Sequence, residues 1–97
     1  MAVYYTIEFP DYFADYAVEI EAKGYFADLA ITFQGREIRP TFYDLDRFTQ
    51  ECEDAFESGR AYYAAPMLVV VRRVVREEIV ATVEALAAGD FADLLGG

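Results

Sequence analysis

The feature that most constrains this chain is a run of alternating apolar and polar residues from Tyr16 to Tyr43, punctuated by two glycine-containing pairs. Period-two alternation marks a half-buried strand, and Lys23-Gly24 and Gln34-Gly35 have the composition of two-residue hairpin turns. With turns there, Tyr16, Val18, Ile20 and Ala22 share a face with Tyr25, Ala27, Leu29, Ile31 and Phe33, then with Ile38, Pro40 and Phe42. Three successive strands agree on one apolar face, and a slip of a single residue would turn a whole strand over. The same register puts Glu19, Glu21, Asp28, Glu37 and Arg39 on the other face, with Glu21 opposite Asp28. Like charges so placed cost a few tenths to about 1 kcal/mol, which a purely structural role does not explain.

The flanking segments extend this pattern. Val3, Tyr5, Ile7 and Phe9 alternate with more polar neighbours and predict a first strand that Pro10 ends. Residues 10–15 predict a loop or single helical turn carrying Tyr12 and Phe13 among acids. Pro40 has no amide to donate, which places the third strand of the meander at a sheet edge. Asp44 suits a helix N-cap, followed by an apolar stripe of Leu45, Phe48, Cys52, Ala55 and Phe56 that Gly59 terminates. The other side of this helix shows Asp46, Glu51, Glu53, Asp54 and Glu57 against one base, Arg47. Met67 to Val71 is a continuous apolar run of strand length, and Val75, Ile79, Val83 and Leu86 predict a helix ending at Gly89. The expectation is one α+β domain over residues 1–97, with an antiparallel-rich sheet of four or five strands. Two main helices pack on one face of that sheet, in the order β-β-β-β-α-β-α.

A chain of 97 residues, 56% of them hydrophobic, can bury a core despite a formal charge of -10. It has no histidine and one cysteine, which removes imidazole or thiolate zinc sites, Ser-His-Asp triads and Cys-His nucleophiles. Cys52 has no partner for an internal disulfide and falls on an apolar stripe, as a small buried hydrophobe does. The glycines fall at turns and helix ends, so no phosphate-binding loop is present and no cofactor is expected. Asp44 with Asp46, or Glu51 with Glu53 and Asp54, carry the oxygen donors that magnesium or calcium takes. Capping and a solvated helix face account for the same residues, so neither a metal site nor an enzyme is expected. The longest apolar run, Ala64 to Val71, contains Pro66 and falls far short of the roughly 20 residues that cross a bilayer. No basic residue precedes the first strand as in a secretory signal, so a cytoplasmic setting is expected.

The charge is unevenly distributed. Met1 to Gly59 holds 13 acids against 4 bases, and Arg60 to Gly97 holds 5 against 4. Such a surface repels nucleic acid and anionic lipid and attracts basic partners over about a Debye length. Arg72, Arg73 and Arg76 form the one basic cluster, and beside Glu77 and Glu78 on so acidic a chain they make no nucleic-acid face. The expected function is that of a non-enzymatic inhibitor occupying the positively charged nucleic-acid-binding surface of a partner protein. Glu19, Glu21, Asp28, Glu51, Asp54 and Glu57 would supply charge, with Tyr12 and Phe13 as contact anchors. In size, acidity and lack of catalytic motifs the chain resembles the phage-encoded inhibitors that mimic DNA, the anti-CRISPR and anti-restriction proteins. The alternatives are an immunity or antitoxin-like protein that neutralises a basic nuclease and, third, a small carboxylate-based metal enzyme.

Overall fold

The computed structural model describes residues 4–96, so Val3 of the expected first strand lies outside the described residues. The elements run β1 (Tyr5–Glu8), α1 (Ala17–Lys23), β2 (Tyr25–Phe26), β3 (Ala30–Phe33), β4 (Arg36–Ile38), β5 (Thr41–Asp44), α2 (Leu45–Glu57), β6 (Leu68–Val71), α3 (Arg76–Ala88) and α4 (Ala92–Leu95). The class is α+β, as the alternation and the two amphipathic stripes imply. In place of one sheet there are two of three strands, ordered β1-β3-β4 and β2-β5-β6.

The division arises within the expected meander. β3 and β4 form a tight hairpin whose turn residues, Gln34 and Gly35, have φ of 52° and 75°. Positive φ at both positions is the type I′ geometry that suits the twist of paired strands. Further along, Phe26 pairs with Phe42 and Ile31 with Ile38, so one side advances five residues while the other advances four. The extra residue lies in the unpaired stretch Ala27–Leu29, where it acts as a bulge and bends the ribbon. Phe26 therefore points inward, while Tyr25, expected inside, is 38% exposed. Opposite the bulge, Pro40 interrupts the third expected strand and splits it into β4 and β5. β4 is an edge, as Pro40 suggested, but β5 lies at the centre of its sheet, paired on one side with β2 and on the other with β6.

The first run of the meander is a helix. Residues 16–23 satisfy a period of two on paper, yet Tyr16 and Val18 are exposed and only Ile20 is buried. Phe13 and Ile20, seven positions apart, are the two residues that reach the core from this segment. That spacing brings side chains to one face of a helix. Ala17, Glu19, Glu21, Ala22 and Lys23 are good helix formers, and Glu19 precedes Lys23 by four positions, the favourable orientation. Gly24 ends the helix at φ 67°, its amide directed at the carbonyls of Ile20 and Glu21.

β5, α2 and β6 form a β-α-β unit, with β5 and β6 parallel. Neighbouring residues of β5 point to opposite faces. Phe42 joins Phe26, Ile31, Phe33, Ile38, Ile79, Val83 and Phe91 in the main core, whereas Tyr43 meets Phe48 of α2 on the other side. α2 and α3 thus lie on opposite faces of the second sheet, not together on one. The expected two layers hold for the first sheet, and α2 adds a third layer behind the second.

Candidate protein-binding surface

α2 begins where the sequence suggested. The Asp44 carboxylate accepts the amide of Arg47 at 2.8 Å, capping the helix. Turning 100° per residue, Phe48, Glu51, Cys52 and Ala55 face the sheet, and with Arg47 beside them these are the buried or half-buried positions. Arg47 stacks over the Tyr25 ring at 5.7 Å and binds Glu51 at 2.7 Å, so that pair ties the helix to the sheet edge. Asp46, Gln50, Glu53, Asp54 and Glu57 project away from the sheet and border one shallow groove with Leu45 and Thr49. All four acids are exposed, and none enters an ion pair among the described residues. At the flank, Leu45 and Phe56 were expected in the core but are 63% and 55% exposed. They lie some 80–100° around the helix from Ala55, its buried residue, on the side away from Glu51 and Arg47 and beyond the reach of the sheet.

The charges at the far end of α2 oppose its own dipole. Its last turn carries no base. Glu57 sits at the negative pole of the helix, where cations stabilise by about 0.3–1 kcal/mol and anions do the reverse.

The other expected contact residues are dispersed. Glu19 and Glu21 lie on α1, and Glu21 is bound by Arg73 at 2.8 and 2.9 Å. Asp28 sits in the bulge and accepts the hydroxyl proton of Tyr12. Glu21 and Asp28 are not opposed across strands, because the strand that would have carried Glu21 is a helix. Phe13 is 3% exposed and packs tilted against Phe9 and edge to face against Phe26, so it is a core residue and no anchor. Tyr12 remains at the surface, its hydroxyl pushed up to about 12 by burial first and by the Asp28 bond second. Glu51 is engaged with Arg47, which leaves Asp54 and Glu57 as the expected residues that share the free surface. Asp46 and Glu53 complete that row, and their helical spacing from Glu57 was the signal for them. Among the described residues, no group of three or more acidic or cysteine side chains could hold a metal ion. No helix among them is long and apolar enough to cross a membrane. No protein-family model, no curated protein and no solved structure matches the chain.

Proposed function

We propose that this is a non-enzymatic binding protein that lays the outward face of α2 against the positively charged nucleic-acid-binding surface of a partner protein and blocks it. The observation that supports this reading is the uncompensated row Asp46, Glu53, Asp54 and Glu57, which includes an acid where the helix itself would favour a base. Acids three or four apart on a helix stand about 5–6 Å from one another at Cβ, a repeat to which cationic side chains that grip a phosphate backbone can adapt. Leu45 and Phe56 are about 16 Å apart along the axis. They give the charged row an apolar margin of the kind that supplies binding energy once desolvated.

The test uses purified CRISPR effectors and restriction endonucleases as probes, with fluorescent DNA binding followed by anisotropy. The expected result is loss of DNA binding by at least one of them, weakening as salt rises. The double variant Glu53→Lys, Glu57→Lys loses the effect, while Glu19→Lys on α1 keeps it. Unchanged DNA binding across the probes at saturating protein, or a charge-reversed α2 as effective as the native one, overturns the reading.

A further inference from the structure

The edges of the two sheets are not equally protected. β1 carries Glu8, β4 carries Arg36 and Glu37, and β2 is only two residues long. Charge and shortness are the usual guards against an edge strand pairing with another chain. β6, the remaining edge of its sheet, reads Leu-Val-Val-Val and has neither charge nor proline within it.

Its backbone is arranged for one more strand. Thr41 donates to the carbonyl of Met67 at 3.0 Å, and the parallel register sets Thr41 beside Leu68 and Phe42 beside Val69. In such a ladder alternate residues direct both peptide groups to the same neighbour, so Val69 and Val71 serve β5. Leu68 and Val70 direct theirs outward. The Val70 side chain is 43% exposed beside them.

We propose that β6 pairs with β6 of a second copy of this chain, antiparallel, about a twofold axis at Val69. Leu68 of each copy then faces Val70 of the other. Each such pair exchanges two N–H···O=C bonds, and the four bonds together use every outward peptide group of the strand. The contact is isologous and closes at two subunits. It also has complementary charge at its ends. α2 runs antiparallel to β6 within the β-α-β unit, which leaves Glu57 at the end of the sheet where β6 begins. Arg72, exposed and in no ion pair among the described residues, follows the end of β6. Antiparallel pairing carries each Arg72 toward the Glu57 end of the other copy. The two joined sheets become one of six strands with both α2 helices on the same side. This pairing does not depend on the partner proposed for α2.

Sedimentation equilibrium of the full chain at about 0.15 M salt, where the Debye length is about 8 Å, tests it directly. The expected result is a concentration-dependent dimer whose dissociation constant rises at least tenfold in Val70→Lys, with circular dichroism unchanged and melting unchanged at concentrations where both proteins are monomeric. Hydrogen exchange gives a second reading on the native chain. The amides of Leu68 and Val70 gain protection as concentration rises, whereas those of Val69 and Val71 are protected at every concentration. A monomer throughout the series, a dimer undiminished in Val70→Lys, or dimerisation without added protection at Leu68 and Val70 overturns the proposal.

Discussion

The two faces of the β2-β5-β6 sheet are built from different materials. On one side Phe26, Phe42, Ile79, Val83 and Phe91 form a buried core with no polar side chain among them. On the other, Tyr25, Tyr43, Tyr63 and Phe48 meet edge to face or tilted at 5.2–6.3 Å. There the Tyr43 and Tyr63 hydroxyls bond each other and Arg47 lies over Tyr25. Burial of aliphatic and phenyl surface stabilises in proportion to area, while a hydrogen bond contributes a net of only about 0.5–1.5 kcal/mol. The α3 side therefore holds the domain together, and the α2 side displays a helix at lower cost to the rest if it is altered. That division suits a surface whose charges do not stabilise their own helix.

The contrast can be broken first from the core side. Ile79→Ala removes a fully buried side chain of α3, and denaturant unfolding should show a loss of about 2–5 kcal/mol. A loss below 1 kcal/mol would mean that α3 is not the principal support. Next comes the junction at Gly24. A methyl group there would meet the Asp44 carboxylate, and φ of 67° disfavours any side chain. Gly24→Ala should cost about 2 kcal/mol or more, combining left-handed backbone strain with loss of the α2 cap. Hydrogen exchange should place the greater part of the loss in α1 and the first turn of α2.

The smallest effect sharpens the tyrosine side. Tyr43→Phe should cost about 0.5–1.5 kcal/mol, with lost protection confined to α2 and the Tyr63 loop. Burial, and then the bond to Tyr63, hold the Tyr43 hydroxyl protonated above the ordinary 10.0. A group with its folded pKa raised stabilises fully below the unfolded value and ceases to do so as pH climbs through the folded one. The Tyr43 contribution is thus complete below pH 10.0 and disappears above it. In an absorbance titration of tyrosinate, the late-ionising fraction should shrink in Tyr43→Phe. If the late fraction is unchanged, Tyr43 is not part of it.

Much of this architecture was legible in residue order. Gln34-Gly35 has the chemistry of a type I′ turn, Ile31, Phe33 and Ile38 alternate cleanly around it, and Asp44 caps where a capping residue belongs. Residues 16–23 misled because eight residues satisfy a period of two and a period near four almost equally. The deciding contacts, Phe13 and Ile20 in the core, lie partly outside the run. A helical stripe says that one side of α2 is covered without saying which face of a sheet covers it, so the third layer was invisible. The partner of Glu21 stands 52 residues away, a distance over which spacing carries no information. Within the candidate surface, the acidic side of α2 could be read from its period, but the separation of Glu51 from Asp54 and Glu57 required knowing where the sheet lies.

One small contact reaches further than its size. The Gly24 carbonyl accepts the amide of Asp44 at 2.9 Å, and the Lys23 carbonyl accepts Arg47 Nη1 at 3.2 Å. The end of one helix and the beginning of the next are thereby fastened at a common hinge pin. The row of carboxylates on α2 and the segment that inserts Phe13 and Ile20 into the core therefore share one backbone anchor.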